Sequence, residues 1–327
     1  MKKILITGGA GFIGSNFIRY VINKYEDYNI VNLDLLTYAG NLNSLKDLEC
    51  KKNYKFVKGD ISDREFILRL FEKENFEMVI NFAAESHVDK SISNPSVFMQ
   101  TNIVGTQVLL EACRIHGVKR YHQVSTDEVY GQLPLDKKEL LFTENTSLNP
   151  SSPYSASKAS ADFIVNSYNN TYNMHTTISR CSNNYGPYQN CEKLIPLSIT
   201  KALNNEKVPL YGSGANIRDW LHVNDHCEAI DLILHKGKIG EVYNIGGNSE
   251  KTNLEVLKCI LKTLGKSEEL ITYVKDRAGH DLRYAIDSSK LKDELGWKPR
   301  YTFENGIIET IEWYLQNEIW WNLNKSI

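Results

Sequence analysis

The sequence predicts an α/β fold: a doubly wound parallel sheet with helices on both faces, followed by a smaller α/β domain. Three observations predict it. The chain opens on a short apolar strand, a glycine-rich turn and an amphipathic helix. Apolar strands then alternate with helical stretches out to about residue 180. The unusual polar residues fall at the carboxyl ends of those strands, where open parallel sheets bind their ligands.

Ile4-Leu5-Ile6 is a fully apolar strand of the buried, parallel type. Gly8-Gly9-Ala10-Gly11-Phe12-Ile13-Gly14 follows, then a helix to about Tyr25. Glycines in such a turn let the backbone approach a pyrophosphate, and the last one lets helix and strand pack closely. The helix start then offers open N–H groups to the phosphates. The strand Ile30–Leu33 ends at Asp34. An acid there hydrogen-bonds the adenosine ribose and repels a 2′-phosphate, and Leu35, Leu36 and Thr37 offer no arginine for such a phosphate, so the residues favour NAD over NADP.

The alternation continues. Lys55–Val57 is a strand ending at Gly59-Asp60-Ile61, residues 63–74 read as a helix, and Met78–Phe82 is a strand running into Ala83-Ala84-Glu85-Ser86-His87. Small residues there let a cofactor lie close. Residues 95–116 read as one long helix opened by Pro95. The strand over 119–125 leads to Thr126-Asp127-Glu128. Two adjacent carboxylates reach one ligand only if the strand has ended, because neighbours on a strand point to opposite faces. Residues 132–150 are an irregular polar loop. Ser152 then caps a helix with Pro153 at its first position. Tyr154 and Lys158, four apart, share a face of it. An ammonium beside a phenol, whose unperturbed pKa is about 10, favours the phenolate and makes it a usable base.

After the strand His175–Ser179 the pattern changes. Pro, Gly and Asn replace the regular alternation, and the charges look placed rather than periodic: Lys193, Arg218, Arg277 and Arg283. The division expected is a Rossmann-type domain over 1–180, with a return segment near 220–240, and a mainly substrate-binding domain over 181–327. Residues 223–235 look like the helix of that return. Trp313 to Trp321 carries three tryptophans on an expected helix that packs in the core or at an interface.

The chain has 327 residues, 42% hydrophobic and 24% charged, enough for one large or two ordinary domains. Net charge is −2 with no block of like charges, which argues against a nucleic-acid groove or an anionic membrane as partner. Six cysteines at scattered spacings form neither a metal-ligand pattern nor a disulfide framework, so a reducing, cytoplasmic setting and no metal are expected. No apolar run reaches the ~18 residues of a membrane span.

Taken together, Gly8–Gly14, Asp34 with Thr37–Asn41, Ala83–Val88, Ser125–Gly131, Tyr154–Lys158, Cys181–Tyr188, Lys193–Pro196, Ile217–Trp220, Tyr243–Gly247 and Arg277–Asp287 resemble the extended short-chain dehydrogenase/reductase family over the full length. The Asp-Glu pair makes the chain similar to its nucleotide-sugar 4,6-dehydratases rather than its epimerases. A non-catalytic NAD sensor would be expected to lack Tyr154 and Lys158.

The resemblance implies a lyase that takes dTDP-glucose to its 4-keto-6-deoxy form with internally recycled NAD, as a homodimer paired through the helices 95–116 and 153–173. It implies Thr126, Asp127, Glu128, Tyr154 and Lys158 as catalytic groups. Cofactor contacts would come from Gly8, Gly11, Phe12, Ile13 and Gly14 in the turn, then Asp34, Leu36, Thr37, Asp60 and Ile61. Further along they would come from Phe82, Ala83, Ala84, Ser86 and Thr101, and from Tyr154, Lys158, Cys181 and Asn184. Substrate contacts would be Ser86, Thr126, Asn183, Lys193, Leu194 and Pro209, with Tyr211, Asn253, His280 and Tyr284. Arg218 and Arg277 are chosen for the diphosphate, since a guanidinium fork matches phosphate oxygens. Two departures from the family stand out: Leu35 replaces a lysine, and Asn190-Cys191 replaces an apolar–proline pair at the lip of the sugar pocket.

Overall fold

A computed structural model describes residues 2–276 and 279–323. The first half runs β1 (Lys2–Thr7), α1 (Phe12–Lys24), β2 (Tyr28–Asp34), β3 (Tyr54–Lys58), α2 (Arg64–Glu74), β4 (Met78–Asn81), α3 (Val88–Ser93), α4 (Pro95–Phe98), α5 (Thr106–Ile115), β5 (Arg120–Thr126), α6 (Pro153–Tyr172) and β6 (Thr176–Cys181). The second runs β7 (Asn183–Tyr185), α7 (Leu194–Leu203), β8 (Val208–Tyr211), β9 (Ile217–His222), α8 (Val223–Lys236), β10 (Val242–Ile245), β11 (Glu250–Thr252), α9 (Asn253–Thr263), β12 (Ile271–Val274), α10 (Ser289–Leu295), α11 (Phe303–Gln316) and α12 (Glu318–Leu323).

Seven strands form one parallel sheet in the order β10-β6-β5-β4-β1-β2-β3. Chain direction across the sheet reverses between β1 and β4, and the crevice at that switch point is where such sheets take ligands. The central strands β1 and β4 are buried on both faces because both are covered. Phe17, Ile18, Val21 and Ile22 of α1 meet Cys227, Ile230, Ile233 and Leu234 of α8 over one face. Ile67, Phe71, Leu109, Leu110 and Val165 from α2, α5 and α6 cover the other. The strand β10 closes the edge beside β6, so sequence as late as Ile245 completes the first sheet.

Two small sheets, β11-β9-β7 and β12-β8, build the second region over their own core of Tyr185, Trp220, Phe303, Ile307 and Tyr314. Among the described residues no helix is long and apolar enough to cross a membrane, and no three His, Cys, Asp or Glu side chains converge as metal ligands.

Two helices differ from their expected form. The run 95–116 is not one regular helix: a π-helical segment, Met99–Gly105, joins α4 to α5. The wider turn lets Asn102 point inward. Its amide donates to Glu85 O (3.0 Å) and Ser157 Oγ (2.8 Å) while its oxygen accepts from Glu85 N (2.9 Å), pinning the loop after β4. The tryptophan stretch is two helices broken at Asn317, whose side chain donates back to Trp313 O at 2.8 Å. Trp313 and Trp320 pack on Tyr188 at ring distances of 4.6 and 5.6 Å, and Tyr314 Oη donates to Gln189 O at 2.6 Å. The last two helices therefore fasten the loop that follows β7.

Candidate active site

A long open cleft lies at the carboxyl ends of β1, β4, β5 and β6. Gly8, Gly11, Phe12, Ile13 and Gly14 form its floor at the switch point. Gly8 has φ +66°, and a Cβ on it would stand 2.6 Å from Ala83 N, so both the turn and the close packing on the β4 loop require glycine. No side chain caps the first turn of α1, whose N-cap is Gly11. Its leading N–H groups are thus available to an anion.

Asp34, Thr37, Asp60 and Ile61 line one end of the cleft. Asp34 accepts from Ala10 N at 2.9 Å and Leu36 N at 2.8 Å, tying the glycine turn to the end of β2. Burial raises its pKa, opposed by those two N–H groups. The two oxygens of a carboxylate hold about four lone-pair directions, so acceptor capacity remains for ribose hydroxyls. Leu36 itself, at φ +58°, contributes its N–H to Asp34 and does not line the cleft; Leu35 does. Phe82, Ala83, Ala84, Ser86 and Thr101 make the wall beyond β4. This cradle of open N–H groups, small residues and one buried acid fits a dinucleotide.

The catalytic candidates meet at the middle. The strand β5 stops at Thr126, and a 3-10 turn, Asp127–Tyr130, takes over. Thr126 Oγ1 caps it by accepting from Glu128 N at 3.3 Å. The turn sends Asp127 and Glu128 to the same cleft. Asp127 is buried, and burial first and the Glu128 charge second push its pKa well above the ordinary carboxylate range. A carboxyl biased toward its neutral form beside a second carboxylate is an arrangement that can pair an acid with a base.

Tyr154 and Lys158 reach the cleft from α6, which a Ser152–Ser155 capping box starts. The Lys158 ammonium donates to Val124 O at 2.7 Å rather than to the phenol. Burial lowers its pKa, and the nearby Asp162 charge opposes that. Burial raises Tyr154 strongly, with Glu128, Cys181 and Asp127 adding to the rise and a Thr126 hydrogen bond opposing it. The phenol is therefore held neutral by the protein alone.

Cys181, Asn183, Asn184 and Lys193 line the remaining wall. The other predicted residues among those described lie outside the cleft lining. Arg218, on β9, donates to Ile217 O (2.7 Å) and Asp281 O (2.9 Å) and lies 4.3 Å from the Tyr284 ring centre. Tyr284 donates to Asp281, which also accepts from Ser151 Oγ at 2.5 Å. Tyr211 meets His280 edge-on at 6.3 Å. Leu194 and Asn253 begin α7 and α9, and Pro209 lies on β8. Arg218 lowers the pKa of Asp127 and Glu128 raises that of Tyr284, so Arg218 and Tyr284 lie within electrostatic reach of the turn bearing Asp127 and Glu128. Arg277 falls outside the described residues. Arg283, which reads as a placed cation, is a structural bolt. Its guanidinium pairs with Glu250 (2.6 and 2.7 Å) and donates to the carbonyls of Lys137, Lys138 and Leu140, holding the 132–150 loop.

The cleft also has residues that sequence reasoning did not single out, Glu85, Ser125, Gln189 and Glu192, and it includes Asn190, one of the two departures from the family. Ser125 Oγ and Gln189 Oε1 are buried with no hydrogen-bond partner among the described residues, as expected of groups that meet a ligand. Glu85 and Ser125 belong to recognisable motifs. Gln189 sits in an irregular stretch with no pattern to mark it.

A dinucleotide cradle with a Tyr/Lys helix face beside it defines a member of the extended short-chain dehydrogenases/reductases. Within them the chain belongs to the GDP-mannose 4,6 dehydratase family, whose model matches residues 5–310. The dTDP-glucose 4,6-dehydratase of Xanthomonas campestris pv. campestris (strain B100) is 53% identical, with 98% of this chain and 95% of that one covered. Among solved structures, the dTDP-glucose 4,6-dehydratase of Bacillus anthracis str. Ames in complex with NAD superposes with a TM-score of 0.92 at 53% identity, covering 99% of this chain and 100% of that one. DesIV, the dTDP-glucose 4,6-dehydratase of Streptomyces venezuelae with NAD and TYD bound, gives 0.94 at 45% identity, covering 98% and 99%.

Proposed function

We propose that this chain converts dTDP-glucose into dTDP-4-keto-6-deoxyglucose, a net loss of water, with NAD recycled in the cleft. The observation that carries the reading is the pair Asp127 and Glu128 on one short turn beside Tyr154. Oxidation at C4 needs only a base at the 4-hydroxyl; an acid and a second base are needed only to break bonds at C5 and C6.

The glycine turn and Asp34 would hold NAD, which when bound would supply a reversible hydride acceptor for the oxidation at C4 and the reduction at C6. Tyr154 removes the 4-hydroxyl proton, with the Lys158 ammonium favouring the phenolate. Thr126 hydrogen-bonds the same oxygen. The resulting C4 ketone acidifies C5–H, and Glu128 takes that proton. Neutral Asp127 protonates the departing 6-hydroxyl, so water leaves. The Glu128 carboxyl proton exchanges with water, and Glu128 then protonates C5 as C6 is reduced. Arg218 and Arg277, with Asn183, Lys193, Tyr211 and His280, bind the nucleoside diphosphate.

The exposed apolar side chains Val97, Val104, Phe163 and Tyr172, on α4, the π segment and α6, support a homodimer through that face. Six free cysteines support a cytoplasmic setting.

The test is incubation of the purified protein with dTDP-glucose in deuterated water without added NAD. A 4-keto-6-deoxy product bearing deuterium at C5 is expected. Glu128→Gln should still oxidise C4 but not eliminate. With NAD then supplied, turnover of a different nucleotide sugar alone would keep the chemistry and move the base specificity, and no turnover of any would end the catalytic reading.

A further inference from the structure

Beneath the cleft lies a buried ion pair to which the chemistry above gives no task. On α6, Tyr154, Lys158 and Asp162 repeat at four-residue steps and so share one face. Asp162 is 0% exposed, and its Oδ2 accepts from Arg180 Nε on β6 at 2.9 Å. Arg180 is 5% exposed, and its Nη1 donates to Tyr130 Oη at 3.0 Å. Tyr130 ends the 3-10 turn that begins with Asp127 and Glu128. Its hydroxyl donates to Asn244 Oδ1 on β10 at 2.8 Å, and its ring stacks on Phe142 at 5.0 Å. None of these side chains lines the cleft.

Stability does not explain the pair. Taking two charges out of water costs about what their attraction returns, and apolar replacements of similar volume are often as stable. Asp162 Oδ1 adds to the cost, since it has no hydrogen-bond partner among the described residues. What the pair does accomplish is connection. A guanidinium presents its donors in a rigid fork, so Arg180 sets a fixed distance between whatever its two ends hold. One end is the helix face of the oxidising groups. The other is the turn of the eliminating groups.

We infer that the Asp162–Arg180–Tyr130 chain is a positioning unit: it locks the turn bearing Asp127 and Glu128 to the helix face bearing Tyr154 and Lys158, so that elimination proceeds from the pose in which C4 is oxidised. The inference rests on the catalytic assignment proposed above. Its physical basis is that both steps address one sugar without its release, and a displacement of about 1 Å can cost ~10²-fold in rate.

Tyr130→Phe is the deciding variant, because it removes only the hydroxyl and leaves the ring on Phe142. In rapid mixing with dTDP-glucose, reduced cofactor is followed by absorbance and product by quenching. C4 oxidation should stay within about threefold of the parent while elimination slows about tenfold or more. Reduced cofactor then dominates the steady state, and KM changes less than about twofold. Asp162→Asn, which also leaves Arg180 unpaired, should shift the balance further the same way. A Tyr130→Phe enzyme in which both steps keep the parent ratio, fast or equally slowed, overturns the inference, since a merely structural loss cannot separate them. Glu128→Gln in the same assay guards the assignment beneath it: parent-rate elimination there would sink the catalytic reading whatever Tyr130→Phe does.

Discussion

Replacing Gly14 by alanine should loosen NAD binding as well as cost the protein some stability. A Cβ on Gly14 would stand 2.4 Å from Gly8 O and 2.8 Å from Gly9 Cα. Ordinary contacts are about 3.5–4.0 Å, so α1 or the turn must retreat by about 1 Å. Both obstacles are backbone, so no rotamer change relieves them. Overpacking of this kind costs about 1–3 kcal/mol, and up to about 1 kcal/mol returns because alanine is the better helix former. The retreat displaces the N–H groups that would hold the pyrophosphate. We expect NAD affinity to fall by about 1–3 kcal/mol, or roughly 5- to 150-fold. The assay is calorimetric titration of NAD into protein stripped of cofactor, beside thermal unfolding of the stripped form. Gly296→Ala is the control: it has φ +75° with nothing within 4 Å, so it should lose about 1–2 kcal/mol of stability and leave NAD affinity alone. Parent-like NAD affinity in Gly14→Ala would refute the argument that this contact sets the phosphate turn.

Two further outcomes follow from burial. His122, between Thr177 Oγ1 and Ser179 Oγ, and His226, bonded to Asn184 Oδ1, are fully buried, and burial holds each pKa at about 3 against an unfolded value of 6.5. The unfolded chain therefore binds the extra protons, so their contribution is intact above pH 6.5 and is lost as pH falls toward 3. At about 1.4 kcal/mol per pH unit, acidifying from about pH 6.5 to 5 should remove about 2 kcal/mol per histidine. Urea unfolding at the two pH values reads it, and an unchanged unfolding free energy would contradict the buried neutral state. Phe163→Glu, at an α6 position 62% exposed, should leave monomer folding intact and abolish self-association in sedimentation velocity; an unchanged dimer would place the interface elsewhere.

The elements legible in the sequence are those whose signal is local. A strand, a glycine turn and a helix can be read in a dozen residues because sterics fix the turn. The break between β5 and the 3-10 turn was legible because two adjacent carboxylates cannot share a ligand on a strand. The π segment was not, because its cause is a tertiary bond from Asn102 to Glu85 and Ser157. The three- and four-residue strands β7, β8, β11 and β12 are too short to show a period, and their partners lie far along the chain. Arg283 could be read only as a placed charge because its partners, Glu250 and three loop carbonyls, are up to 146 residues away. Proximity of Lys158 to Tyr154 in sequence did not reveal that the ammonium is held by Val124 O. Fold class and cleft follow from the chain's local grammar; the supports around the cleft depend on long-range contacts.

The edge strand β10 and the helix α8 have a consequence for how the chain is made. When Cys181 has left the ribosome, six strands of the large sheet exist, but Phe17, Ile18 and Val21 of α1 still face water where α8 will pack. The missing cover lies roughly 40–65 residues further on, a delay of about 2–13 s at ~5–20 residues per second. For that interval the nascent chain carries a nearly finished nucleotide site on an open core. Holding α8 and β10 back until after the second region has begun makes an amino-terminal fragment a poor candidate for independent folding, and a natural client for chaperones.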